Sequence, residues 1–219
     1  MKYFKTLPLI TQTDPYGNTV LVNNIISRAY LLPSLQKNLM LFYTYDLKES
    51  DTPENMAYRY YNDVYRYWIM LYSNGIVDPQ SQWPLTSQQF TLYLTDKYKQ
   101  DTANAANVSV VNVTTSQVLS YTSATIHHYE QYITTTNSID NQGQTITIQI
   151  SGNTYNSFVG YTTTSSFNDG STVTKTVSVG AISIYDYEET TNENKRSIQV
   201  MRDIYVPQME TQLKSLMQK

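Results

Sequence analysis

Between Lys99 and Lys175 the chain carries no basic residue, and between Asp101 and Asp169 only Glu130 and Asp140 can ionise at neutral pH. The window is dense in Thr, Ser, Asn and Val, and it alternates. In Gln144-Thr145-Ile146-Thr147-Ile148-Gln149-Ile150 the three isoleucines fall on one face of a strand. Turn chemistry divides the window at Asp140-Asn141-Gln142-Gly143, at Gly152-Asn153 and at Asn168-Asp169-Gly170. The pattern predicts a meander of strands near 125–137, 144–151, 154–165 and 171–182. The Thr-rich stretch 101–120 is expected to be an extended or partly disordered linker, with Val108, Val110, Val111 and Val113 offering an edge strand. Strands so poor in charge aggregate unless their edges are paired or covered, so a partner is expected to cover them.

The whole chain has 219 residues, which suits one domain or one domain with a large insertion. Its net charge of -3 supplies no positive field for DNA or an anionic membrane, so neither is an expected partner. Without cysteine there is no disulfide or thiolate chemistry, and two histidines leave little for metal or general-base work. Charged residues make up 15% while tyrosine alone contributes 21, a surface of phenols and uncharged polar groups suited to contact with other proteins. Met1-Lys2-Tyr3-Phe4-Lys5, soon followed by Pro8, Asp14 and Pro15, lacks the apolar core of a secretory signal, and no apolar stretch is long enough to span a membrane. Synthesis in a cytosol is the expectation.

The first hundred residues read as a strand followed by helices. Leu41 to Leu47 suits a strand, and Thr52-Pro53-Glu54 places a cap, a first-turn proline and an acid at a helix start. Met56, Ala57, Tyr60 and Tyr61 mark its buried stripe. Asn62-Asp63 then breaks it, and Asp63 caps a second helix with Val64, Tyr67, Trp68, Leu71 and Tyr72 on one face, stopped by Ser73-Asn74-Gly75. Thr86-Ser87-Gln88-Gln89 opens a third helix with Phe90, Tyr93, Leu94 and Lys97 on one side. Near the carboxyl end Ser197 to Met201 alternates as a short strand, and Pro207 starts a helix with Met209, Leu213, Leu216 and Met217 along one stripe.

No catalytic set is legible. His127 and His128, adjacent on a predicted strand, point to opposite faces and cannot readily close on one metal, while Glu130 shares a face with His128 as a polar contact. Neither a phosphate loop nor a nucleophile elbow is present, so no enzyme activity, cofactor or metal is expected. Eight tyrosines lie between Tyr43 and Tyr72. Those on periodic faces read as core, which leaves Tyr58, Tyr65 and Trp83 as candidates for exposed contacts. Trp83, before Pro84, is either a plug on the two-helix core or an interface anchor.

The string Tyr45-Asp46-Leu47-Lys48-Glu49-Ser50-Asp51-Thr52-Pro53-Glu54-Asn55-Met56-Ala57-Tyr58-Arg59-Tyr60-Tyr61-Asn62-Asp63, with Tyr67-Trp68-Ile69-Met70-Leu71-Tyr72-Ser73-Asn74, resembles the LysM-like core of the baseplate wedge protein fifty-three family of contractile-tailed bacteriophages. The similarity extends to Tyr3-Phe4-Lys5-Thr6-Leu7-Pro8, Gln82-Trp83-Pro84-Leu85-Thr86, Lys97-Tyr98, His127-His128-Tyr129-Glu130, Tyr187-Glu188-Glu189 and Asn194-Lys195-Arg196-Ser197-Ile198, leaving 101–120 and much of the meander unmatched. The resemblance implies a non-enzymatic virion protein of the contractile tail, made in the host cytoplasm, that clamps other baseplate wedge proteins and joins neighbouring wedges. Its fold would be α+β: a LysM-like strand-helix-helix core with a β-meander insertion and a C-terminal helix. The expected division is an N-terminal arm and LysM-like core over 1–100, a Thr-rich linker and β-rich insertion over 101–182, and a strand and helix over 183–219. Tyr58, Tyr65, Trp83, Pro84, Met209, Leu213, Leu216 and Met217 are the expected partner contacts. The alternative is a peptidoglycan-binding LysM-type module on the tail. Against it, Ser50-Asp51-Thr52 stands where such modules carry Gly-Asp-Thr, and Trp83-Pro84 with a capped helix follows where a closing strand belongs.

Overall fold

Asp14-Pro15-Tyr16-Gly17-Asn18 turns the chain back on itself early, in a computed structural model that describes residues 3–27, 38, 40–139 and 142–217. The Asp14 carboxylate accepts from the amides of Tyr16 and Asn18 at 2.9 and 2.8 Å, and Gly17 takes φ +83°, a conformation open to glycine. The result is a hairpin of β1 (Leu9–Thr13) and β2 (Thr19–Asn23), Leu9 opposite Asn23 and Thr13 opposite Thr19.

After β3 (Phe42–Asp46) the chain enters α1 (Pro53–Tyr61) at the predicted place, Thr52 accepting from the Asn55 amide at 3.2 Å. Asn62, at φ 51°, ends it, and Asp63 caps a short 3-10 turn, Val64–Arg66, before α2 (Tyr67–Ser73). Trp68 is buried, as its stripe predicts, but Ile69, Met70 and Ser73 are buried with it while Val64 is exposed. The tighter 3-10 turn rotates residues 64–66 away from the face that an unbroken α-helix would align. Gly75, at φ 65°, supplies the expected stop, and the single turn α3 (Pro79–Gln82) precedes Trp83.

α4 (Ser87–Ala106) runs well into the segment expected to be extended. Phe90, Leu94, Thr102 and Ala103 keep a buried stripe through it, and Asn107, at φ 53°, follows its end. A 3-10 turn, Val110–Asn112, and α5 (Thr115–Ala124) come next, the latter opened by a capping box of Thr114 and Gln117. The stretch 101–120 is therefore largely helical. Val113 is buried with Ala103 and Val118 in a small cluster, and no edge strand forms there.

Four strands follow, β4 (Ile126–Asn137), β5 (Gly143–Ile150), β6 (Tyr161–Ser166) and β7 (Thr172–Ser183), in the order β5-β4-β7-β6. This is not a simple meander: two hairpins join through their long inner strands, which pair from Ile126 opposite Ser183 to Asn137 opposite Val173. Where a turn and the start of a strand were expected at 152–160 there is a short helix, α6 (Gly152–Ser157), capped by Ser151 on the Thr154 amide at 3.2 Å. Tyr155 on that helix stacks on Tyr129 at 4.5 Å between ring centroids. The turn at Asn168-Asp169-Gly170 is present, with Gly170 at φ 82°, whereas the one at 140–143 lies partly outside the described residues.

Through α7 (Ile184–Glu193) the chain reaches β8 (Ser197–Met201), which pairs antiparallel with β3 from Phe42 opposite Met201 to Asp46 opposite Ser197. The short strand read at Ser197 to Met201 thus forms and completes a sheet with the chain's own β3. Two side chains from the helix pair hold it there: the Asn74 carboxamide donates to the Gln199 carbonyl at 2.9 Å and accepts from the Gln199 amide at 2.7 Å, while the Tyr61 hydroxyl donates to the Met201 carbonyl at 3.0 Å. α8 (Val206–Met217) closes this core, which includes Phe42, Met56, Ala57, Ile69, Met70, Val200 and Val206. Two compact units result, one built from the chain up to Thr86 with Asn192 onward, the other from Ser87–Thr191. In the first, the two points where the chain departs and returns are tied together: Asn192 accepts from the Leu85 amide at 2.8 Å and donates to its carbonyl at 3.1 Å.

Candidate functional site

On the hairpin β1–β2 the apolar side chains point both ways. Leu9 and Leu21 share one face, at 61% and 64% exposure, and Ile10, Val20 and Val22 lie on the other, with Ile10 and Val20 also exposed. A two-stranded hairpin is marginal alone in water, and one that exposes apolar residues on both faces has surface suited to a neighbour. Sequence reasoning passed over this element. Its signal was available in two short alternating runs flanking Asp14-Pro15-Tyr16-Gly17-Asn18, the composition of a hairpin turn.

The eight expected contact residues separate cleanly. Tyr58 and Tyr65 are exposed at 61% and 54%, and Leu216 at 61%. Trp83 and Pro84 are buried, and Met209, Leu213 and Met217 lie in the first unit's core. The helical stripe explains the last three: Val206, Met209, Leu213 and Met217 recur at spacings of three and four, and Leu216 falls beside that line.

Trp83 is a plug, and what it plugs is a polar knot. Its indole N–H donates to the Asp51 carbonyl at 3.0 Å. The Asp51 carboxylate, itself buried, accepts from the Tyr45 hydroxyl at 2.9 Å, the Lys48 amide at 2.9 Å and the Arg59 guanidinium at 3.1 Å. Burial alone would raise its pKa. The Lys48 amide, the Tyr45 hydroxyl and Arg59 outweigh that and hold the carboxyl below its usual range. The knot fixes the loop that leads from β3 into α1.

In the second unit the corresponding knot centres on Glu188. One oxygen accepts from Lys97 and from the Tyr98 hydroxyl, both at 2.6 Å, and the other from the Tyr93 hydroxyl at 3.1 Å. Burial opposes ionisation here too, and those three donors reverse it, so the Glu188 carboxyl is held low. The Tyr98 hydroxyl, partly buried and bonded to that carboxylate, is pushed up to about 12. Every oxygen is satisfied within the unit, which suits a fastener between α4 and α7.

The histidines are closer than strand alternation predicts. A bulge between Ile126 and His128 interrupts the β4 register, and the two Nδ1 atoms meet at 2.8 Å instead of facing apart. His127 also stacks on Tyr187 at 3.9 Å between centroids, and His128 contacts Glu130 at 3.0 Å, the polar contact that the sequence suggested. Among the described residues no group of three or more His, Asp or Glu side chains is placed to hold a metal ion, and no helix is long and apolar enough to cross a membrane.

No curated protein matches the chain. Residues 34–146, more than half of its length, match the family described as Base plate wedge protein 53.

Proposed function

Since the chain belongs to the Base plate wedge protein 53 family, structural proteins of the phage tail baseplate, we propose that it works as a clamp that holds wedge subunits together and joins adjacent wedges during baseplate assembly. The observation that carries this reading is the hairpin β1–β2, whose apolar residues are exposed on both faces and which fits between two neighbours better than against one. Tyr58, Tyr65 and Leu216 add separate exposed contacts on the same unit. In this reading the strand-helix-helix-strand arrangement of β3, α1, α2 and β8 is the LysM-like core, interrupted before its last strand. The sequence-based division assigns the arm and core to 1–100, the β-rich extension to 101–182 and the closing strand and helix to 183–219. Glycan binding gains no support from Trp83, whose ring is buried and whose N–H is engaged by Asp51.

The test is a reconstitution of wedges with the Leu9→Lys, Leu21→Lys double variant. Both side chains are exposed in the isolated chain, so its melting temperature should stay within a few degrees of wild type. Incorporation into wedges should be lost. Normal incorporation would remove the hairpin from the clamp, and absence of the wild-type chain from purified tails would remove the clamp itself.

A further inference from the structure

Ser73-Asn74-Gly75 ends α2, and it holds the one Asn-Gly step of the chain. Such a step is chemically reactive. Glycine has no Cβ to shield its amide nitrogen, so that nitrogen can turn onto the side chain before it and attack the carboxamide carbon. The N–Cγ bond forms, the Cγ–Nδ2 bond breaks and ammonia leaves, after which water opens the cyclic imide to aspartate or isoaspartate. Overall a water enters and an ammonia departs, with no oxidant, reductant or enzyme.

In this fold the reacting carboxamide is also the clasp on β8. Its Nδ2 donates to the Met70 carbonyl at 2.7 Å and to the Gln199 carbonyl at 2.9 Å, and its Oδ1 accepts from the Gln199 amide at 2.7 Å. The group to be attacked is thus held at both ends. The attacking nitrogen is engaged as well, since the Gly75 amide donates to the Tyr72 carbonyl at 3.2 Å. Backbone geometry adds a third restraint. Ring closure needs the Gly75 nitrogen and the Asn74 Cβ nearly eclipsed about the Cα–C bond, and Asn74, at ψ 4°, keeps them far from that arrangement. Reaching it means breaking the bonds to Gln199 and lifting β8 from the end of α2.

We propose that Asn74 is a site of spontaneous deamidation gated by β8: while the strand is docked the clasp suppresses the reaction, and when the strand comes away the reaction proceeds to a product that cannot close the clasp again. An aspartate at this position is an acceptor only. It has nothing to donate to the Met70 and Gln199 carbonyls and sets a negative oxygen against both. Isoaspartate in addition lengthens the main chain by a methylene. Undocking is reversible and the covalent step is not, so the modified fraction records the time a chain has spent with β8 open. The gate belongs to the isolated chain and does not rest on the clamp reading.

The test incubates the full-length chain at neutral pH and body temperature and follows conversion at Asn74 by peptide mapping, with isoaspartate identified by enzymatic methylation. In the folded wild type the rate should be at least about tenfold below that of the same chain in denaturing urea. Tyr61→Phe removes the hydroxyl bond to the Met201 carbonyl of β8 without touching Asn74. It should raise the native rate about fivefold, the change in an opening equilibrium expected for one lost hydrogen bond, and leave the rate in urea unaltered. Sub-denaturing urea gives the same reading without a substitution, because the wild-type rate should climb as urea favours the open form. Asn74→Asp, the product made directly, should melt several degrees below wild type. Equal rates in the folded and urea-unfolded chain overturn the gate, as does a native rate indifferent to both Tyr61→Phe and sub-denaturing urea. An Asn74→Asp protein that melts with wild type overturns the loss of the clasp.

Discussion

The split strand-helix-helix-strand unit encloses its apolar residues, and the inserted sheet leaves most of its own only partly buried or exposed. In the first, Phe42, Met56, Ala57, Ile69, Met70, Val200 and Val206 are essentially inaccessible, and two strands distant in sequence meet only because a helix pair lies beside them. In the second, the buried cluster is Ala103, Val113 and Val118 under the helices, while β5 and β6 are exposed along almost their whole length. The sheet depends instead on backbone pairing and on cross-strand contacts such as Thr134 with Thr145 at 3.0 Å. Burial is the term that scales with stability, so the two units should respond differently to the loss of one side chain. A well-filled core holds its shape by itself, and an open sheet has apolar surface left to bury.

The largest effect should come from Trp68→Ala. Trp68 is buried against Tyr3 and Tyr72, with ring centroids at 5.5 and 6.2 Å, and its removal should cost about 3–5 kcal/mol, or roughly 10 °C in melting temperature. Its indole N–H has no hydrogen-bond partner among the described residues, so Trp68→Phe should cost much less than the lost ring area suggests. Val177→Ala is the matching truncation in the sheet, beneath the row of Ile133 and Tyr161. It should cost about 1–2 kcal/mol. Calorimetry decides the matter: if Val177→Ala lowers the melting temperature as much as Trp68→Ala, the sheet has a core of its own weight and the contrast fails.

Acid should probe both units through one carboxylate each. Asp51 and Glu188 are held below their usual pKa, so each contributes stability that is present above its unfolded value, about 3.9 for Asp and 4.3 for Glu, and lost as pH falls through the folded value. Stability should therefore decline below about pH 4. Asp51→Asn and Glu188→Gln should each lower stability at pH 7 and flatten that decline. Arg59 and Lys97 are about half exposed and can rehydrate, which keeps the neutral-pH loss nearer 1–2 kcal/mol, about the cost of weakened charge-assisted hydrogen bonds. Fluorescence of Trp68 and Trp83 reports the first unit, and backbone circular dichroism near the strand band weights the sheet. An acid transition unchanged in both variants would mean that neither knot governs it.

The fold was legible in proportion to how local its causes are. Thr52-Pro53, Asn62-Asp63, Gly75 and Asp169-Gly170 act within a few residues, and the elements they bound appear where those residues place them. Where local and longer-range signals compete the outcome was hidden. Thr102 and Ala103 carry α4 through a stretch whose composition suggests an extended linker, and the capping pair Thr114 and Gln117 was visible there but outweighed by the valines around it. Ser151 capping α6 belongs with these. The pairing of β8 with β3 could not be read from either strand, since it rests on Asn74 and Tyr61 reaching residues more than a hundred positions away. Three of the expected contact residues, Met209, Leu213 and Met217, lie buried for a related reason: a stripe on a helix gives the side that docks without saying on what, and most of the α8 stripe docks on its own unit.

The smallest expected effect on stability is the one that sharpens that last point. Leu213 is buried in the first unit and Leu216, three residues on, is exposed at 61%. Placing a carboxylate at 213 puts an unpaired charge into the core that holds Val206, Met209 and Met217, so Leu213→Asp should destabilise by more than about 3 kcal/mol and lose the folded circular dichroism signal of this unit. Leu216→Asp meets water, and should stay within about 0.5 kcal/mol of wild type. Any defect that Leu216→Asp shows in wedge incorporation then reports contact with a neighbour and not folding. Incorporation at the wild-type level would confine α8 to its own core and leave the hairpin, Tyr58 and Tyr65 as the surface through which this unit meets the baseplate.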